Sequence, residues 1–121
     1  MRKSAFEQLT TDERALLREC LAFVSTTPEL SDQEFSTRVG MPRNEFAAIL
    51  LRWPEVDHLD AEVLMATNNA LNEVCHGLPI AGAEWGSHFS RSQDEARRLF
   101  KKWLALCGWY DASKAQGDPH E

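Results

Sequence analysis

Thr10 and Glu13, Ser31 and Glu34, and Ser92 and Glu95 each set a serine or threonine three residues before a glutamate, just ahead of an apolar run. Each pair has the spacing of a capping box. The hydroxyl accepts from the backbone N–H of the third helical residue, and the carboxylate returns to the N–H of the capping residue. Such pairs start helices, and apolar side chains follow them at helical intervals. After Thr10 come Leu16, Leu17, Cys20, Leu21 and Val24, widened by Phe23. After Ser92 come Ala96, Leu99, Phe100, Trp103, Leu104 and Cys107. No stretch alternates long enough to build a sheet. The pattern predicts an all-α fold.

Between these starts the chain punctuates itself further. Lys3–Leu9 adds a turn or short helix. Leu30 and Phe35 flank the Ser31 box as a hydrophobic staple. That short helix ends at Gly40, and Pro42 suits the first turn of the next. Phe46, Ile49, Leu50 and Trp53 then fall at i, i+3, i+4, i+7 before Pro54. A fourth helix is expected from Asp60 to His76, closed by Gly77, with Val63, Thr67, Ala70, Leu71 and Val74 inward. The fifth runs from Ser92 to Gly108. Residues 77–90 hold three glycines and read as an ordered loop with short extended pieces around Leu78–Ile80. The expected architecture is a compact bundle of about five helices over residues 1–110, followed by a flexible tail, 111–121. At 121 residues one domain is expected, and 43% hydrophobic content is too high for a disordered chain.

Cys20, Cys75 and Cys107 are too few and too scattered for a closed disulfide framework, which suits buried thiols in a reducing compartment. No apolar run approaches the roughly 18 residues that span a bilayer, and charges come too early for a signal peptide. A cytoplasmic protein with no membrane contact is expected. The net charge of −6 is unevenly spread. Residues 53–90 contain no Lys or Arg and six acids, Glu55, Asp57, Asp60, Glu62, Glu73 and Glu84, so the whole excess lies there. That segment repels nucleic acid and offers a face to a basic protein partner or to the basic helix of a second copy.

Phe35, Ser36, Val39, Gly40, Met41, Phe46 and Ile49 give residues 32–51 the small-residue contact, the glycine turn and the apolar locks of a two-helix unit. The segment resembles the helix-turn-helix motif of DNA-binding proteins. The resemblance implies that the second helix presents Arg43, Asn44, Ala47, Ala48 and Leu51 to the major groove, where Arg43 and Asn44 would read bases. Phosphate contacts would come from Arg97, Arg98, Lys101 and Lys102 on the last helix, where Asp94 is spaced to pair with Arg98. Between Asp32 and Trp53, however, three basic side chains are matched by three acidic ones, so no electrostatic footprint for DNA appears.

A second constellation lies on the fourth helix. Asn69, Asn72, Glu73 and His76 recur at i, i+3, i+4, i+7, which places amides, a carboxylate and an imidazole on one face. Such a face can hydrogen-bond a partner, and Glu73 beside His76 would favour the charged imidazole. Trp85, in the glycine-containing loop, either covers the core or anchors a partner. The sequence carries no nucleophile with an adjacent base, no phosphate-binding glycine loop and no metal-ligand spacing among Cys75, His76, His88 and Cys107. A non-enzymatic interaction or regulatory module, without cofactor or metal, is therefore the expected role. A helix-turn-helix DNA-binding regulator is the alternative.

Overall fold

The computed structural model describes residues 3–108. The tail expected at 111–121 and Trp109 lie outside them. Within them the chain is all helical, with no strand. A 3₁₀ turn, Phe6–Gln8, precedes α1 (Thr11–Thr26), α2 (Asp32–Val39), α3 (Arg43–Arg52), α4 (Ala61–Asn72), α5 (Gly82–His88) and α6 (Gln93–Cys107). Helices α1 and α4 form the centre: α1 packs on α3, α4 and α6, and α4 packs on α1, α2 and α6.

Two of the three expected capping boxes close, and the third is half formed. Thr10 Oγ1 accepts from Glu13 N at 3.1 Å, and Glu13 Oε1 accepts from Thr10 N at 2.8 Å. The Ser31–Glu34 box closes in the same way. At Ser92 the hydroxyl caps Glu95 N, while the Glu95 carboxylate turns to that hydroxyl. The α1 stripe, Leu16, Leu17, Cys20, Leu21 and Val24, is wholly buried. Leu30 and Phe35 are buried with it, and the Phe35 and Phe46 rings meet edge to face, locking α2 to α3. Between them Gly40 takes a left-handed conformation, φ 97°, which a side chain resists and glycine adopts freely.

Two expectations need correction. Residues 77–90 do not form only a loop: Gly82–His88 is a helix, which brings the count to six. Its glycines have open space around them and its polar side chains face outward. It is held instead by Trp85, which is buried and donates from Nε1 to Arg91 O at 2.6 Å. Tertiary anchoring thus overrides weak helix propensity. The fourth helix, moreover, does not continue regularly to His76. Glu73–Gly77 is a π turn, in which Leu78 N donates to Glu73 O at 2.7 Å. Such a bulge shifts side-chain register, so the residues after it leave the face their spacing implies.

An aromatic knot ties the N-terminal turn to the α3–α4 connection. The His58 ring stacks on Phe6, with centroids 4.0 Å apart, and meets the Trp53 edge at 4.8 Å. Nε2 lies 2.8 Å from Pro54 O; a carbonyl only accepts, so the ring proton sits on Nε2. Nδ1 is buried with no hydrogen-bond partner among the described residues, so a second proton placed there would find no acceptor. Burial therefore holds the imidazole below its ordinary 6.5, against smaller opposing effects from Pro54, Glu7 and Asp57. Because the folded value is depressed, the unfolded chain binds the proton more readily, and stability falls as pH drops below about 6.5. Urea unfolding between pH 7.5 and 5 should show this decline in the wild type and a flatter profile in His58→Phe. Parallel profiles would remove the assignment.

Candidate functional site

The structure separates the residues that share a face in the sequence. Two of them turn toward α2. Asn69 Nδ2 donates to Val39 O at 2.8 Å, capping the carbonyl end of α2. Glu73, 5% exposed, accepts from the Arg38 guanidinium in a close ion pair. The pair explains Gly77: a Cβ there would lie 2.6 Å from Glu73 Oε1 and 2.9 Å from Arg38 Nη2. Glu73 thus faces Arg38 rather than His76. His76 turns toward α6, its ring 5.8 Å from that of Phe100, and is exposed, as is Asn72. Trp85, rather than standing in a loop, stacks on Phe89 inside the protein.

Arg43 is also drawn inward. It donates to Ser25 O at 2.9 Å and Leu30 O at 2.5 Å, pairs with Asp32 at 3.1 Å, and lies over the Phe35 ring. A DNA-reading role for this side chain would require breaking all of these bonds. What α3 shows to solvent is Asn44, Glu45, Ala47, Ala48, Leu51 and Arg52, three apolar side chains among polar and charged ones.

On α6 the four basic candidates divide. Lys102 is tied to Glu13 at 2.8 Å. Arg97, Arg98 and Lys101 are exposed and join no ion pair among the described residues. The Asp94–Arg98 pair that the spacing offers is not formed; Arg91 reaches Glu95 and Asp12 instead.

Cys20 and Cys75 are free and buried. Burial raises both thiols, Cys75 to about 11, which leaves them protonated and chemically quiet. No three potential metal ligands gather among the described residues, and no helix there is long and apolar enough to cross a membrane.

Two further features stand out in the fold. Arg38 has a readable signal: three residues after Phe35 and beside Val39, it falls on the inward stripe of α2, where a cation needs a partner. The other is the exposure of Leu51, at 88%, and Leu59, at 44%, the large apolar side chains left in water. Leu51 precedes and Leu59 lies within the acidic segment from Glu55 to Glu62, where Glu55, Asp57, Asp60 and Glu62 are exposed. Compared with known proteins, the chain matches no family model, no curated protein and no solved structure.

Proposed function

We propose that this protein is a non-enzymatic interaction module that docks a basic protein partner on the acidic, apolar-studded surface from Leu51 to Glu62. The observation that carries this reading is the exposure of Leu51 and Leu59 beside four acids that have no basic partner within the described chain. Single exposed leucines are ordinary. Two of them bordering an uncompensated acidic segment supply what a contact needs: an apolar centre for affinity and a charged rim for orientation and on-rate. Arg52 is the one cation at this border, and Asp60 also caps α4 through Glu62 N and Val63 N.

The partner expected is basic and presents an apolar side chain to Leu51. Of the residues singled out by sequence, Asn69, Glu73 and Trp85 serve the fold. The test is comparative capture with the wild type, Leu51→Asp and Leu59→Asp, both changes lying on exposed positions. At least one basic protein should be lost from both variants, with affinity reduced about 30-fold, as for a contact of about 2 kcal/mol. It should also be released as salt rises toward about 0.5 M. Identical captured sets from all three proteins would end this reading.

A further inference from the structure

Two features that are distant in the sequence meet in one groove. His76, just past α4, stands at one side; Arg97, Arg98 and Lys101 of α6 stand at the other. Phe100 and Leu104 supply its apolar lining, and Asp94 also borders it. The groove encloses about 570 Å³, within the range of roughly 300–1,000 Å³ typical of small-molecule sites.

We propose that this groove binds a small organic anion composed of a phosphate-like or carboxylate head and an apolar, preferably aromatic, body. The charge pattern favours this over a merely solvated face. Elsewhere in the described chain, Arg14, Arg38, Arg43, Arg91 and Lys102 each engage a carboxylate or a backbone carbonyl, while Lys3, Arg18 and Arg52 stand exposed singly at separate places in the chain. Around the groove three cations stand without such partners, although Asp94 is within helical reach of Arg98. Arg97 and Lys101, four residues apart on one helix, repel each other. An anion between them removes that repulsion and gains charge-assisted hydrogen bonds, with a guanidinium able to grip two oxygens at once. The site lies on a protein whose net charge is −6, so attraction must be local. Close contact with Arg97, Arg98 and Lys101 supplies it, and the apolar lining holds the rest of the ligand.

The body of the ligand is read by Phe100, Leu104 and the His76 ring. Phe100 is largely buried and so fixed in place, Leu104 is half-buried, and His76 is exposed to close over a planar group. A bare anion would use only the cations. An anion with an aromatic body would use both halves of the site.

The test is a titration of the full-length, ¹⁵N-labelled protein at low ionic strength, followed by amide chemical shifts. The probes are phenyl phosphate, inorganic phosphate and a short DNA duplex. Phenyl phosphate should move the amides of residues 94–104 and His76 in a saturable manner, at least about tenfold more tightly than inorganic phosphate. Arg97→Gln combined with Lys101→Gln should weaken it by at least about tenfold, as expected for two charge-assisted contacts. Arg18→Gln, an exposed cation on α1, should leave it unchanged. The same spectra report whether each variant is folded. Non-saturable shifts, equal affinity for inorganic phosphate, or full binding by the double variant would overturn the proposal. Tighter binding of the duplex at these amides would replace it with a nucleic-acid site.

Discussion

Replacing Arg38 with leucine is expected to destabilise the protein by about 3 kcal/mol, the cost typical of removing one partner from a buried ion pair. The asymmetry of the pair sets this size. The Glu73 side chain is 6% exposed, whereas that of Arg38 is 34% exposed. Without Arg38, the carboxylate is left within the protein with little water to solvate it. Without Glu73, the guanidinium retains part of its hydration and can swing outward. Glu73→Gln, which keeps a hydrogen-bond acceptor, should therefore cost less, about 1 kcal/mol. The double change Arg38→Leu with Glu73→Leu should recover much of the loss, because two apolar side chains of suitable volume need no desolvated charge. Urea unfolding of the wild type, Arg38→Leu, Glu73→Leu and the double variant forms a double-mutant cycle, with Glu73→Gln measured beside it. If the double variant is as unstable as the sum of its singles, the ion pair is not what links α2 to the end of α4.

The helix starts were legible in the sequence because capping is local: a hydroxyl and a carboxylate three residues apart suffice, wherever the helix later packs. The apolar stripes of α1 and α6 were legible for the same reason. What escaped depends on distant partners. Helix α5 is weak in itself and exists where Trp85 finds the core and Arg91 O. The π turn at Glu73–Gly77 accompanies an ion pair whose other half lies 35 residues earlier. The polar residues of α4 were recognisable as unusual for a helix, yet the acceptor of Asn69 lies 30 residues away. Their chemistry was readable, but the direction in which they used it was not. The outward phase of Leu51, by contrast, was legible, because Phe46, Ile49, Leu50 and Trp53 claim the inward stripe of its helix.

Arg43→Met is expected to cost about 3 kcal/mol, through two backbone carbonyls deprived of their donors. Ser25 and Leu30 are both buried, so water cannot readily replace the guanidinium that now bridges the end of α1 to the start of α2. Methionine retains the apolar stem and isolates the loss of the charged head. Lysine in the same place brings one compact ammonium where a fork is required, and an intermediate loss of about 2 kcal/mol follows. Asp32 also contacts Arg43, but its side chain is 92% exposed, so Asp32→Asn should cost well under 1 kcal/mol. Equilibrium unfolding should rank the variants in that order, and an Arg43→Met cost below about 1 kcal/mol would show that the two carbonyls are satisfied another way. The variant also separates fold from recognition on α3. With its guanidinium directed inward, Arg43→Met should impair any ligand binding only as far as it depletes folded protein. Asn44→Ala, one residue on and facing solvent, should leave stability within about 0.5 kcal/mol. A binding defect in Asn44→Ala would then report contact by the exposed face of α3 itself.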